Sequence, residues 1–567
     1  MKQILFIIYG AFLLSIIAPS AIADKSLNQQ QTEYISAKLK NGTKKVIMCG
    51  SKLKCGSSLV TKFYASRNYA PAWISDGQLT KSGKSLVLAI RNSYLDGLNP
   101  KTYHVTQIND IMQQLKYMKS DQAAKLLADL DVTLSDEFFL MADHLSNGVV
   151  PANKISRYFT LPKKNINFID VVDQAVKAND VAEVLGTLAP KNPTYAKLKE
   201  KLLGYYKIAE NGGFLPIPDD EELTLGASND AVKLLKQRLF TTGELEKVKD
   251  AVEYDKTLEA AVVKFQENNN LESDGIIGSK TLKALNIPVE VQIQKIALNM
   301  DRLRILPEHM ANRHVIINIP AYTLEAFRDG KPILSMPIVV GKPTSPSCIL
   351  NSQLTHLEFN PYWNVPNGIA SNEIIPELRR NPGFLKEHNI KVFKNNGDLI
   401  EVNPDNINWK KVDPKGLVYR FRQDPGDQNA LGKVKFAFPN GCVMYLHDSL
   451  SRELFEENRR DLGHGCIRLG LPLNFANYLL ADNKGWDASR IMDTINEGKL
   501  KVVTLTNPVD LYILYQTILI NPDTGALQFR NDIYNLDKLS PYPVWPVAAK
   551  ESQDEKNYQM VNNIIAK

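Results

Sequence analysis

A chain of 567 residues with 44% hydrophobic and 23% charged content is ordinary globular material, and at about 100–200 residues per domain it divides into roughly three or four domains. The formal net charge of +6 is small for this length and forms no long basic block. That excludes a dedicated nucleic-acid binder and leaves an acidic polymer acceptable as a partner.

At the N-terminus, Lys2 precedes an apolar stretch from Ile4 to Ile17, and Ala21-Ile22-Ala23 supplies small residues at alternate positions before Asp24 opens a polar chain. This is the pattern of a cleaved export signal over residues 1–23. The alternative, an uncleaved anchor, has an apolar run shorter than the roughly 20 residues that span a bilayer. No later segment is long and apolar enough to span, so no stable membrane span is expected after cleavage.

Export gives the five cysteines meaning. Cys49 and Cys55 flank a flexible loop that can close as a disulfide in an oxidising compartment. Cys348 and Cys442 are either buried thiols or a pair. No His-Glu-x-x-His and no second close Cys or His pair occurs, so no metal or other cofactor is expected.

Residues 24–220 read as a helical scaffold, with apolar residues at helical spacing in Ser85–Leu95, Ala123–Asp143 and Tyr195–Ile208. The stretch Leu215-Pro216-Ile217-Pro218-Asp219-Asp220 is a linker. Within 226–288, Val232, Leu235 and Leu239 share one helical face, Leu258, Val262 and Phe265 a second, and Ser279 is placed to cap a third helix carrying Leu282 and Leu285. Three short helices with Phe265-Gln266 and the turn Asp274-Gly275-Ile276-Ile277-Gly278 resemble the peptidoglycan-binding module attached to many cell-wall enzymes. A linker helix is expected over 289–311.

Strands begin near 312, at His314–Ile319, Leu324–Phe327, Ile333–Val340 and Leu354–Phe359, separated by the turns Asp329-Gly330 and Gly341-Lys342-Pro343. Helical character returns from Ser371 to Asn396, and strands resume near Val418 and Val434. The expectation is a β-rich domain over 312–505 with a helical lid inserted at about 371–430, followed by C-terminal strands and a polar tail over 506–567. The fold class is thus multidomain α+β.

Late in this domain, Tyr445-Leu446-His447-Asp448 precedes Gly463-His464-Gly465-Cys466-Ile467-Arg468. A free thiol is mostly protonated near neutrality, so a neighbouring imidazole that takes its proton raises its reactivity toward a carbonyl. Cys466 is the candidate nucleophile and His447 the candidate base. Gly465 lets the chain turn sharply and present consecutive N–H groups to an oxyanion. Arg468, two residues beyond Cys466, lies on the same side of a strand and can orient a substrate carboxylate.

Together with Asn360-Pro361-Tyr362-Trp363-Asn364-Val365-Pro366 and Arg422-Gln423-Asp424-Pro425-Gly426, these motifs resemble the L,D-transpeptidases with a YkuD-type catalytic domain. The order of scaffold, binding module and lidded catalytic domain is similar to the large YcbB-like periplasmic members, from about Phe63-Tyr64 through Asp532-Ile533-Tyr534. The resemblance implies that the backbone carbonyl of Asp448 orients His447, that Tyr445 and Trp363 line the donor pocket, that His464 supports the loop, and that Asn440 lies near the entrance. It also implies reaction with carbapenems. One position departs from the family pattern, which has Ser or Thr where this chain has Gly463; the missing hydroxyl predicts a less preorganised loop.

The expected activity is acyl transfer on peptidoglycan tetrapeptide stems in the periplasm. Cys466 forms a thioester with the third residue and D-alanine leaves. An acceptor amine on another stem gives a third-to-third cross-link, and one on an envelope protein gives an anchored protein. The partners implied are stem peptides, glycan strands and such an envelope protein, with no nucleic acid. Two alternatives stay open: hydrolysis of stems by the same residues as a carboxypeptidase or endopeptidase, and an inactive wall-binding scaffold.

Overall fold

The computed structural model describes residues 25–40, 47–49, 53–55, 58–118, 120–219, 223–247, 253–395, 399–414 and 416–539. The export signal and the C-terminal tail expected above lie outside these residues, as do the side chains of Cys49 and Cys55. Among the described residues no helix is long and apolar enough to cross a membrane. The chain forms two compact units. One takes the described parts of Met1–Val87, His104–Phe139 and Phe168–Val181, and the other Leu88–Tyr103, Leu140–Asn167 and the described residues from Ala182 onward.

The first unit is helical, and its core is built around a buried carboxylate. Asp131 accepts from the backbone N–H groups of Ala72 and Trp73, both at 2.8 Å, and from the Tyr64 hydroxyl. Trp73 donates its indole N–H to Ser135 at 2.8 Å. Burying a carboxylate is tolerable only when its lone pairs are satisfied in this way.

In the second unit, helices Asp230–Thr242, Lys256–Asn268 and Ser279–Leu285 enclose a small core of Val232, Leu235, Leu239, Leu258, Val262, Phe265 and Leu285. Asn229 and Asp255 cap the first two by accepting from Val232 and Leu258 N–H groups. The third has Gly278 at its cap position with no side-chain bond, so Ser279 is its first helical residue and not the expected cap. Gln266 explains the Asp-Gly turn: its amide donates to Asp274 and to the Ile276 carbonyl and accepts from Gly275 N–H, all at 2.9 Å.

Helix Val289–Arg304 is not a free linker. It is buried on nearly every side, and Ile293, Ile296 and Met300 share one core with Leu198 and Leu202 of helix Pro193–Glu210 and with the sheet that follows. That sheet contains β1 (Arg313–Asn318), β2 (Thr323–Arg328), β3 (Lys331–Gly341) and β4 (Leu350–Phe359). After the insert come β9 (Val434–Ala437), β10 (Leu446–His447), β11 (Asp461–Gly463), β12 (Ile467–Leu469) and β13 (Lys501–Leu514). Their order is β11-β3-β12-β10-β9-β4-β13-β1-β2. The long β3 pairs with β2 along its first half and with β12 near its end, so the ladder closes on itself and covers its edges. Strand β13 runs straight through the expected boundary at 505. Tyr515 and Ile518 beyond it belong to the same core, so residues up to 539 are continuous with this domain.

The insert between β4 and β9 is helical only in its first half. Helices Asn367–Ile369, Ile375–Arg380 and Phe384–Glu387, with a π-turn at Ala370–Ile374, give way to β6 (Ile390–Asn395), β7 (Leu399–Val402) and β8 (Tyr419–Gln423). These join β5 (Trp363–Asn364) in a four-stranded antiparallel sheet ordered β7-β6-β8-β5. Ile375, Leu378, Leu385, Val392, Trp409 and Phe421 form its own core. The stretch expected to be helical to Asn396 therefore ends in a strand. Val392 and Phe393 are adjacent and both buried, so no alternation marks this strand in the sequence; its antiparallel pairing with β7 and β8 defines it.

Candidate active site

The site follows from the register of two short strands. β10 and β12 run parallel, with Leu446 opposite Ile467 and His447 opposite Arg468. Leu446 and Ile467 face the core and are fully buried. Alternation then turns Tyr445 and His447, and Cys466 and Arg468, to the opposite face of the sheet. Next along this face is Lys435 on β9, paired with His447 in register and bonded to Glu358 of β4 at 2.9 Å.

His447 is 6% exposed, and its Nδ1–H donates to the Asp448 backbone carbonyl at 2.5 Å, which leaves Nε2 as the acceptor nitrogen. Burial, then the nearby Arg468 charge, lowers its pKa to about 3. The ring is therefore neutral under physiological conditions. The carboxylate of Asp448 plays no part in orienting it. That carboxylate accepts from the N–H groups of Lys433 and Ser449 and pairs with Arg452.

Cys466 is the free cysteine among the described residues. Burial raises its pKa, and the N–H and hydroxyl of Tyr445 offset this only in part. The Tyr445 hydroxyl lies between the Cys466 thiol and the Trp363 side chain. Among the described residues the thiol makes no hydrogen bond to the His447 ring. The two groups share a face as neutral partners, not as a preformed ion pair.

The remaining expected residues fall into two groups. Arg468 and Trp363 line a cleft of about 610 Å³, together with Glu373, Arg380 and Phe384 of the insert. His464 reaches the insert as well, with Nε2 2.5 Å from Glu373 Oε1. Asn440 is used up within its own loop. Its Nδ2 donates to the Phe438 and Met444 carbonyls, and its Oδ1 accepts from the N–H groups of Cys442 and Met444. It therefore shapes the turn before Tyr445, and its side-chain amide is satisfied within that turn.

Sequence reasoning missed the segment that holds the 463–466 loop. Lys342 N–H donates to the Gly463 carbonyl at 2.9 Å, Ser345 Oγ to the His464 carbonyl at 3.2 Å, and Ser347 Oγ to the Gly465 carbonyl at 2.7 Å. Loop support expected from a hydroxyl at 463 thus comes from 342–347. A side chain at Gly463 would place its Cβ 3.0 Å from the Val340 carbonyl oxygen, in the tight pairing of β11 with β3. Cys348, next to Ser347, is disulfide-bonded to Cys442, which settles the pairing that the sequence left open.

Residues 312–503 match the family model of the YkuD L,D-transpeptidase catalytic domain, residues 58–202 that of a scaffold domain, and residues 228–285 one described as "Putative peptidoglycan binding domain". A curated Haemophilus influenzae protein described as "Putative L,D-transpeptidase" is 32% identical over 245 residues, 43% of this chain and 48% of that protein. The chain thus spans about half the length of the curated relative it matches. Among solved structures, an L,D-transpeptidase from Mycobacterium smegmatis aligns at 16% identity over 36% of this chain and 58% of its own, with a TM-score of 0.17. One from Xylanimonas cellulosilytica aligns at 14% identity over 52% of this chain and 98% of its own, with a TM-score of 0.16. The chain carries a YkuD-type L,D-transpeptidase catalytic domain, preceded by a scaffold domain and a peptidoglycan-binding domain.

Proposed function

We propose that this protein is a periplasmic transferase that joins peptidoglycan stems through a Cys466 thioester. The observation that carries the reading is the common face of β10 and β12, which gathers Cys466, His447, Tyr445 and Arg468 beside a cleft. Arg468 and Trp363 hold the donor tetrapeptide, Arg468 through a carboxylate of the stem. The Cys466 sulfur attacks the carbonyl of the third residue, meso-diaminopimelate, as neutral His447 takes the thiol proton through Nε2. The C–N bond to the terminal D-alanine then breaks, and His447 returns the proton to the departing amine. Because both groups are neutral at rest, proton transfer accompanies C–S bond formation.

Consecutive N–H groups at Gly465 and Cys466 support the oxyanion of the tetrahedral intermediate; among the described residues neither is used by another acceptor. An acceptor amine then attacks the thioester, losing its proton to His447, and releases the thiol. With the amine of a second stem the product is a third-to-third cross-link, and with an amine of an envelope protein it is an anchored protein. The insert excludes water, which favours transfer over hydrolysis. The Cys348–Cys442 disulfide supports an oxidising compartment.

The test is mass spectrometry of defined tetrapeptide muropeptides incubated with the mature protein and with Cys466→Ala. Cross-linked dimers and free D-alanine from the wild type alone are expected. Tripeptide without dimers would instead establish a carboxypeptidase, and identical products from both proteins would end the cysteine assignment.

A further inference from the structure

The carbonyl of Gly465 and the N–H of Cys466 belong to one trans peptide, so they point in opposite directions. Whatever holds that carbonyl also aims that N–H. In this structure Ser347 holds it: the Ser347 Oγ–H donates to Gly465 O at 2.7 Å, and Oγ in turn accepts from Gly341 N–H at 2.9 Å. The Ser347 N–H donates to the Tyr534 hydroxyl at 3.0 Å, and that hydroxyl donates to the Gly341 carbonyl at 2.6 Å. Three of these bonds close a ring through Gly341, Ser347 and Tyr534, and the fourth leaves it for the catalytic loop.

Each part of the ring is itself fixed. Ser347 is 3% exposed, so water does not replace its bonds. Tyr534 stacks on Tyr515 with centroids 5.7 Å apart, and its N–H donates to the Tyr515 hydroxyl, which donates to Asp532. Gly341 admits the loop because it lacks a side chain: a Cβ there would lie 2.8 Å from Gly465 N. Gly465 has φ +107, in the region where glycine is permissive and supplies little resistance of its own to peptide rotation.

We propose that Ser347, braced by Tyr534, is a positioning residue that sets the direction of the 465–466 peptide and so builds the oxyanion hole. The proposal rests on the acyl-transfer reading above. It assigns a role to Tyr534, which lies beyond the matched catalytic region at 312–503.

Two reactions of the same sulfur separate this role from general structural support. Alkylation by iodoacetamide displaces iodide at a saturated carbon and forms no oxyanion. Acylation by a carbapenem adds the sulfur to the lactam carbonyl through a tetrahedral oxyanion; the C–N bond then breaks and nitrogen takes the thiol proton. Both are followed on the full chain by mass addition at Cys466, for wild type, Ser347→Ala, Ser347→Thr and Tyr534→Phe.

Removing an oxyanion donor typically costs about 10²–10³-fold, so misdirecting one in Ser347→Ala is expected to slow acylation about 10–100-fold. Alkylation should stay within about twofold, Ser347→Thr should recover most of the rate, and Tyr534→Phe should show a smaller selective loss. Equal loss of both reactions in Ser347→Ala and Tyr534→Phe, or no loss of acylation in either, overturns the proposal. A wild type that is alkylated at Cys466 but never acylated overturns the acyl-transfer reading itself.

Discussion

At the candidate site, burial acts on both the thiol and the imidazole and makes each neutral. It raises the Cys466 thiol and lowers His447 to about 3. A raised thiol pKa means that thiolate appears only as pH climbs past the ordinary thiol range near 8.5. The rate of iodoacetamide addition to the free enzyme should therefore rise continuously from pH 6 to 9. A preformed thiolate–imidazolium pair would instead give a plateau across pH 5–7, and observing one would falsify the neutral resting state. The chemical types of these residues were legible in the sequence, because a glycine-flanked cysteine and an upstream histidine announce themselves. Asn440 was named only through the resemblance, as a residue near the pocket entrance. Its saturation by four backbone groups depends on the exact path of the 438–444 turn, which no spacing rule encodes.

At the level of elements, the two motifs that flank the insert turn out to be partners. Trp363 and Asn364 pair with Gln423 and Arg422, so the chain enters and leaves the insert through one antiparallel bridge. The insert reaches the 463–466 loop through the contact of Glu373, in the π-turn, with His464. Partly exposed pairs of this kind contribute below about 1 kcal/mol, enough to shift the closure proposed for the insert without unfolding anything. In Glu373→Ala the ratio of hydrolysed tripeptide to cross-linked dimer is expected to rise about 2–5-fold, the limit that this energy sets at 1.4 kcal/mol per factor of ten. An unchanged product ratio would remove Glu373 from the proposed closure. Strands β1 to β4 were readable from their β-branched and aromatic residues and from the turns between them. The four-residue β7 and the two-residue β5 are too short for a periodic signal, and only pairing defines them.

Across the second unit, helix Val289–Arg304 joins segments far apart in sequence. Asp301 accepts from the N–H groups of Val149 and Val150 and pairs with Arg304, which donates to the Tyr195 hydroxyl and the Asp96 carbonyl. Asp301 and Arg304 are 1% and 0% exposed. Breaking a buried pair by removing one member typically costs about 3–5 kcal/mol, because the other charge stays buried. Asp301→Ala should destabilise this unit by that amount in urea unfolding, and a loss below about 1 kcal/mol would mean that Arg304 finds another anion. The sequence reading made this helix a linker over 289–311, with no partner for Asp301, Arg302 or Arg304 in view. Burial of charged residues becomes visible only when their partners, more than a hundred residues away, are in place.

The bridge between Cys348 and Cys442 has a practical consequence for anyone handling the protein. Reductants added to preserve the free sulfur at 466 also attack the cystine that tethers the Ser347 segment to the turn ahead of Tyr445. Over residues 253–539 the oxidised chain offers one titratable sulfhydryl, and a reduced chain offers three. Stoichiometry of labelling over these residues, measured before any rate, therefore tells which form of the candidate site is in the tube.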